Sequence, residues 1–115
     1  MIKNNSNELT APDEYWALSE EKRKELLNEC GPDGPLNKLI PDHLAGLPIK
    51  KSCNIHDFMF SEAKNKKDYK EADKVFLKNM NKEIEKGTNN FFLKSVRKLF
   101  SLIYYAAVRG YSAIQ

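Results

Sequence analysis

The chain has 115 residues, of which 41% are hydrophobic, and its formal net charge is +3. A chain of this size and composition can bury one modest core, which excludes a largely disordered protein, and no apolar run is long enough to cross a bilayer. The first residues also lack the apolar segment of a secretory signal. We therefore expect a soluble chain, or the mature form of an exported one, with a flexible arm at residues 1–10 and a single domain over residues 11–115.

Basic side chains are concentrated in the second half of the chain. Residues 1–60 carry 7 basic and 10 acidic side chains, whereas residues 61–115 carry 12 and 6. Such a basic half suits an anionic surface, either phospholipid headgroups or nucleic acid, although surplus lysine more often serves solubility. No zinc-finger spacing, aromatic recognition motif or helix-turn-helix pattern accompanies the charge, so we expect no nucleic acid partner.

The first predicted helix follows Thr10, because Pro12 and two acidic residues after it are typical of a helix start. It ends at "CGPDGP", the strongest breaker cluster of the chain, and its apolar residues are Trp16, Leu18, Leu26 and Leu27. From Gly31 to Lys51, repeated prolines and glycines predict one long loop. A loop of that length in a small domain is usually functional or pinned.

Three further helices are predicted after the loop. Ser52 can cap a second helix that begins at Cys53. A third, from about Lys67 to Lys86, has apolar residues at three- and four-residue steps, namely Tyr69, Ala72, Phe76, Leu77, Met80 and Ile84. After "GTNN", a last helix from about Phe91 has an apolar face made of Phe92, Val96, Leu99, Phe100, Ile103, Tyr104, Ala107 and Val108. No segment alternates as a strand does, so we predict an all-α domain with two long antiparallel helices.

The two cysteines of the chain, Cys30 and Cys53, flank the long loop. A disulfide between them would close this loop, stabilise the fold by about 3 kcal/mol and imply oxidising surroundings. The alternative is a pair of free thiols in a reducing compartment.

An aspartate, Asp73, interrupts the apolar stripe of the third helix. A buried carboxylate needs a donor, and a histidine is a suitable one. If the second and third helices pack side by side, Asp73 can accept the Nδ1 proton of His56 and leave Nε2 free as a base. Alternatively, Asp73 lies at the solvated edge of the stripe beside Lys70 and Lys74.

Asp57 follows His56 directly, so on a helix the two side chains diverge by about 100° and cannot do the same job. A carboxylate that points towards a Pro/Gly-rich loop with free carbonyls is typical of an oxygen-rich calcium site. An aspartate in a first helical turn is also common for dipole reasons alone.

These residues together resemble the secreted phospholipase A2 superfamily. "CNIHDFMF" at residues 53–60 resembles its active-site helix, whose signature is C-x-x-H-D, and "CGPDG" is similar to the start of its calcium loop. "EADKVFLKNM" resembles the partner helix, which in bacterial and fungal members carries an aspartate ahead of an aromatic residue, as Asp73 stands ahead of Phe76. The resemblance covers roughly residues 29–81 and is closest to the bacterial and fungal branch.

The resemblance implies calcium-dependent hydrolysis of the sn-2 ester of glycerophospholipids at a membrane surface. His56 would be the general base, Asp73 would orient its ring, and the Gly31 N–H would be an oxyanion donor. Asp57 would bind Ca²⁺ together with backbone carbonyls at Glu29, Gly31 and Asp33. The resemblance also implies the disulfide between Cys30 and Cys53 and thereby favours a secreted or extracytoplasmic location.

The chain departs from the family pattern at two places. The signature usually continues H-D-x-x-Y, whereas Phe60 stands here, so the hydroxyl that normally joins the network around the inward aspartate is missing. The segment between Cys30 and Cys53 is also longer than in typical animal members.

Contact with lipid is expected at the start of the last helix, where Phe91 and Phe92 precede Lys94, Arg97 and Lys98. A ladder of lysines on the third helix also suits an anionic bilayer, although a solvated face is the better interpretation: Lys66, Lys70, Lys74, Lys78, Lys82 and Lys86. We expect a monomer that touches the membrane transiently.

Two other functions compete with hydrolysis. The scaffold can serve as a non-catalytic phospholipase A2-like module that binds lipid or protein, which the loss of the tyrosine at Phe60 favours. Less favoured is a structural zinc site made of two cysteines and two histidines, Cys30, His43, Cys53 and His56, because it leaves both aspartates unexplained.

Overall fold

The computed structural model describes residues 2–3, 9–19, 21–22 and 43–114, and this part of the chain is mostly helical. Its helices are α1 (Asp13–Trp16), α2 (Lys50–Glu62), α3 (Lys66–Gly87) and α4 (Phe91–Ala113). Two small antiparallel pairs of strands, which the sequence does not predict, join β1 (Ile2–Lys3) to β2 (Ala11–Pro12) and β3 (His43–Leu44) to β4 (Leu47–Pro48). The predicted helical class is therefore confirmed, with short strands added to it.

The two long helices, α3 and α4, run antiparallel. Each begins at an asparagine whose side chain accepts a backbone N–H, Asn65 from Asp68 and Asn90 from Leu93, both at 2.9 Å. Lys66 at the start of α3 donates to the carbonyl of Ala113 at the end of α4. Asparagine caps and a short polar connection explain why the bounds of both helices agree closely with the predicted ones.

Helix α2 begins at Lys50, so its predicted start at Cys53 is wrong. Ile49 is the N-cap residue and makes no side-chain cap bond. Ser52 lies inside the helix and is buried, and its hydroxyl donates to Glu83 on α3 at 2.7 Å. Ser52 therefore bonds to a residue of another helix and does not cap α2, although the sequence predicts that it does.

The described residues of the N-terminal segment contact the rest of the molecule. The backbone of Ile2 and Lys3 pairs with residues 11–12, and Leu9 and Thr10 are buried. Asn79 of α3 bonds to both backbone groups of Thr10, accepting from its N–H at 2.6 Å and donating to its carbonyl at 2.8 Å. A buried amide that pairs with a backbone N–H and C=O satisfies the polar groups of the incoming chain.

The first predicted helix is interrupted. Helix α1 ends at Trp16, residues 17–19 are not helical, and residues 21–22 are helical again. Leu26, Leu27 and the "CGPDGP" stop lie outside the described residues.

The predicted long loop contains the β3–β4 hairpin. The prediction of a loop is therefore wrong for residues 43–48, and residues 31–42 lie outside the described part. Its turn residues, Ala45 and Gly46, both have positive φ, at 45° and 88°. Two positive φ values in a two-residue turn match the right-handed twist of the strands, and they explain the glycine.

Two clusters of buried side chains hold the helices together. One joins β3 and the chain before α2 to α2, α3 and α4 through Leu44, Ile49, Cys53, Phe76, Met80, Ile84 and Val108. The other joins the N-terminal segment to α2 and α3 through Leu9, Ala11, Tyr15, Ile55, Met59, Ala72 and Val75. Because α2 and α3 contribute to both clusters, their facing side chains are held from two sides.

The outward face of α4 is apolar, which corrects part of its predicted core face. Leu99 and Ile103 are 56% and 54% exposed, and Phe92 is 77% exposed. Of the predicted face, Val108 is buried, and Phe100, Tyr104 and Ala107 pack partly buried against the core. The other buried residues of this helix are polar, namely Arg97, Ser101 and Ser112. An apolar helix with more than one hydrophobic face does not reveal its buried side by periodicity. Among the described helices, none combines the length and the apolar character needed to span a bilayer.

Candidate active site

Helix α2 holds His56 in the interior with only 2% of its surface exposed. The imidazole lies between two aromatic rings, Phe60 one turn later on α2 and Phe76 on α3, with centroid distances of 4.8 and 4.7 Å. Rings on both sides restrict rotation of the imidazole, so its two nitrogens have fixed directions.

His56 and Asp73 meet across the α2–α3 interface. Nε2 of His56 lies 2.8 Å from Oδ1 of Asp73, and the carboxylate is fully buried. Asp73 therefore does not lie at a solvated edge beside Lys70 and Lys74. The structure brings the predicted pair together but through the other ring nitrogen, so the prediction that Nδ1 bonds to Asp73 is wrong. Spacing along a helix does not determine which ring nitrogen of a histidine faces a partner.

The second oxygen of Asp73 receives two donors from α4. Arg109 Nη1 lies 2.9 Å and Ser112 Oγ 2.6 Å from Oδ2. Sequence reasoning missed both residues, since they are separated from Asp73 by 36 and 39 positions. The available signal was that an arginine and a serine interrupt the apolar pattern near the end of α4.

Phe60 lacks a hydroxyl, as the sequence indicates, and it fills the site with its ring alone. That ring contacts His56 and packs against Tyr69 and Tyr111 at centroid distances of 4.7 and 5.9 Å. Of the described side chains, the polar partners of Asp73 are therefore His56, Arg109 and Ser112.

Asp57 is partly buried next to His56, and burial raises its pKa from 3.8 to about 7. A carboxyl that loses hydration without gaining a compensating charge suits a hard cation such as Ca²⁺, which takes oxygen ligands and favours the ionised form. The other predicted calcium ligands, at Glu29, Gly31 and Asp33, lie outside the described residues. Within the described residues, no group of three or more His, Cys, Asp and Glu side chains could hold a metal.

The described members of the zinc alternative do not assemble. His43 is exposed on β3, Cys53 is buried on α2, and His56 bonds to Asp73. His43, Cys53 and His56 thus form no metal-holding group, and Cys30 lies outside the described residues.

The start of α4 is exposed, as a surface that touches lipid would require. Phe91 and Phe92 are 84% and 77% exposed. Arg97, which the sequence places with the lipid-facing cations, is buried, and this part of the prediction is wrong. Lys94 and Lys98 both pair with Glu85, at 3.0 and 2.7 Å.

A cleft of about 320 Å³ opens elsewhere on the molecule, between the end of α2 and the start of α3. It contains neither His56 nor Asp73, and it is lined by Pro12, Glu14, Phe58, Met59, Glu62, Ala63, Lys64, Asp68 and Glu71. This cleft is separate from the candidate active site.

The chemistry of the site thus rests on one buried imidazole, held by a carboxylate and flanked by Asp57. Nδ1 of His56 has no hydrogen-bond partner among the described side chains. Comparisons with protein-family models, with curated proteins and with solved structures found no match to this chain.

Proposed function

We propose that this chain is a calcium-dependent hydrolase of the phospholipase A2 type, which cleaves the sn-2 ester of glycerophospholipids at a membrane surface. The observation that carries the proposal is the 2.8 Å contact between Nε2 of His56 and Oδ1 of Asp73, both buried. A carboxylate that fixes one imidazole nitrogen and leaves the other free is the arrangement of a general base. Its occurrence within C-x-x-H-D supports the resemblance stated above.

In this proposal Nδ1 of His56 acts as the base. It removes a proton from a water, and the oxygen of that water attacks the ester carbonyl carbon. Asp73 stabilises the imidazolium through Nε2–H. When the tetrahedral intermediate collapses, the acyl–oxygen bond breaks and the imidazolium returns its proton to the leaving oxygen. The products are a fatty acid and a lysophospholipid.

The aromatic surroundings of His56 support the same role. Phe60 and Phe76 hold the ring and exclude water from its faces, so the base does not rotate away from its substrate. The low exposure of His56, at 2%, also strengthens its electrostatic interaction with Asp73.

Asp57 would hold Ca²⁺ together with backbone carbonyls at Glu29, Gly31 and Asp33. When bound, the ion would supply charge to the substrate phosphate and the ester carbonyl. The desolvated carboxyl of Asp57 supports this assignment. The Gly31 N–H remains the proposed second donor to the oxyanion.

The disulfide between Cys30 and Cys53 is part of the proposal. Cys53 is buried and is not a free thiol, and Cys30 is the other cysteine of the chain. The bond would tie the proposed calcium loop to the helix that carries His56, and it would suit an extracytoplasmic protein.

Membrane contact is proposed through Phe91 and Phe92, whose exposure leaves their rings free to enter a bilayer interface. Of the lysine ladder, Lys70, Lys74 and Lys78 are exposed, whereas Lys66 is bonded to the end of α4. The exposed lysines suit anionic headgroups. We propose that the protein works as a monomer with phospholipid as its substrate.

The test is hydrolysis of vesicles that mix zwitterionic and anionic phospholipids, carried out by the oxidised protein with Ca²⁺ or with a chelator. Mass spectrometry identifies which acyl chain is released. The proposal expects release of the sn-2 chain with Ca²⁺ only, and a fall of at least about 10³-fold in His56→Ala. His43→Ala is the matched control, because His43 is exposed on β3 and should leave the rate unchanged.

No hydrolysis by a folded wild-type protein would contradict the enzyme proposal. Binding to the same vesicles without hydrolysis would then favour the non-catalytic lipid-binding module. Hydrolysis that survives in His56→Ala would contradict the assigned base.

A further inference from the structure

The carboxylate of Asp73 is held from two helices at once. Oδ1 lies 2.8 Å from Nε2 of His56 on α2, while Oδ2 accepts from Arg109 and Ser112 on α4 at 2.9 and 2.6 Å. Asp73 is fully buried, whereas the side chain of Arg109 is 33% exposed. Among the described residues, the polar partners of this carboxylate are therefore His56 and the two α4 donors.

A buried carboxylate needs such partners. Without donors, Oδ2 would be desolvated and unpaired, which is costly for an ionised group and would favour rotation or protonation of the side chain. A guanidinium supplies an opposite charge that does not titrate, and a hydroxyl bond to a carboxylate is short and directional. Arg109 and Ser112 thus favour the one carboxylate orientation in which Oδ1 faces Nε2.

Phe60, one turn after His56 on α2, supplies no donor to Asp73. Its ring lies against His56 and Tyr111 but offers no hydroxyl to the aspartate. Arg109 and Ser112 lie one helical turn apart near the end of α4, so both reach the same oxygen. Helix α4 therefore provides donors to Asp73 that Phe60 on α2 does not.

We propose that Arg109 and Ser112 are positioning residues, which orient Asp73 and thereby hold His56 in the tautomer with a proton on Nε2 and a free Nδ1. This inference rests on the proposed function for its effect on turnover, but the tautomer can be measured without any substrate. Neither residue touches the reacting atoms.

The experiment measures the two ring nitrogens of His56 by ¹⁵N NMR at about pH 9, where a free imidazole is neutral. It compares wild type, Ser112→Ala, Arg109→Gln and Arg109→Lys, and records vesicle hydrolysis beside the spectra. Ser101→Ala is the matched control. Ser101 is also a buried serine of α4, but its hydroxyl donates to the carbonyl of Lys98 at 2.7 Å. His43 is an internal reference in every spectrum.

In wild type and Ser101→Ala we expect a protonated Nε2 and an unprotonated Nδ1. Ser112→Ala and Arg109→Gln should mix the two tautomers and lower kcat by about 10-fold and about 100-fold, with KM nearly unchanged. Arg109→Lys keeps the charge and should recover part of the loss. Backbone spectra confirm that each variant is folded, and Ser112→Ala still tests the inference if Arg109→Gln does not fold.

Wild-type tautomer and turnover in both Ser112→Ala and Arg109→Gln would overturn the inference. A tautomer change in a protein that hydrolyses nothing would support the positioning role and contradict the proposed function. An unchanged tautomer in both variants, together with hydrolysis by the wild type, would support the proposed function and contradict the positioning role.

Discussion

Two parts of α4 each direct an arginine and a serine at partners inside the molecule. The upstream pair, Arg97 and Ser101, meets neutral groups: Arg97 donates to the hydroxyl of Thr88 at 2.8 Å and to the carbonyl of Ala45 at 3.2 Å. The downstream pair, Arg109 and Ser112, meets the carboxylate of Asp73. Arg97 thus binds the β3–β4 hairpin, whereas Arg109 and Ser112 bind a carboxylate that contacts His56.

The difference between the pairs lies in the charge of the acceptor. Hydrogen bonds to a charged group contribute more than bonds to neutral ones, and breaking a buried ion pair leaves an uncompensated charge. Nε of Arg97 is also a buried nitrogen with no bond in the described part of the chain. A buried arginine on a helix is therefore not evidence of a site until its acceptor is known.

The largest effect should follow from removing the charge at the downstream pair. Asp73→Asn keeps the shape but leaves Arg109 without its counter-ion, so the free energy of unfolding should fall by about 3 kcal/mol. Hydrolysis should fall by about 10³-fold or more, because an amide can bond to His56 in the wrong tautomer. Urea unfolding and vesicle hydrolysis measure the two effects. An Asp73→Asn protein with wild-type stability and rate would remove the distinction between the pairs.

The upstream pair should affect stability alone. Arg97→Gln leaves the hydroxyl of Thr88 and the carbonyl of Ala45 short of a donor, which should lower the free energy of unfolding by about 2 kcal/mol. The rate of hydrolysis by the folded protein should stay unchanged, since Arg97 contacts neither His56 nor Asp73. A loss of kcat comparable to that of Asp73→Asn would place both pairs in the site.

The exposed start of α4 should affect lipid binding and little else. Replacing both Phe91 and Phe92 by Ser should weaken binding to anionic vesicles at least about tenfold, because two aromatic side chains no longer leave water. The free energy of unfolding should change by less than about 0.5 kcal/mol for substitutions so exposed. Ile114→Ser is the control, since Ile114 is 79% exposed at the opposite end of the helix. Equal losses in both proteins would argue against a localised contact.

A further prediction concerns how stability depends on pH at Asp57. Burial raises the pKa of Asp57 to about 7 in the folded protein, above its ordinary value of 3.8. The folded protein favours the neutral carboxyl of Asp57. The stability associated with this neutral form is therefore fully present below about pH 4 and is lost as the pH rises through about 7. In metal-free buffer, wild type should lose stability relative to Asp57→Asn across that window, and Ca²⁺ should restore it in wild type only. Parallel pH profiles for the two proteins would contradict the burial of this carboxyl.

The long helices were predictable because their signals are local. Asn65 and Asn90 cap α3 and α4, and the four-residue spacing of Ala72, Phe76 and Met80 defines the core face of α3. The start of α2 was not predictable in this way. Serine is a common N-cap residue, but Ser52 instead bonds to Glu83 on another helix.

For the site, the sequence predicted only the pair of His56 and Asp73. Helical spacing made a contact between His56 and Asp73 possible, but it did not determine which ring nitrogen faces Asp73. Arg109 and Ser112 are long-range partners of Asp73, and a single sequence does not distinguish them from Arg97 and Ser101.

The most direct test of the account is a double-mutant cycle for hydrolysis with His56→Gln, Asp73→Asn and the two combined. Residues that act as one unit show non-additive losses. We predict that kcat of the double variant is no lower than that of His56→Gln alone, since Asp73 acts only through the imidazole. Multiplicative losses in the double variant, or hydrolysis that does not depend on His56, would contradict the account.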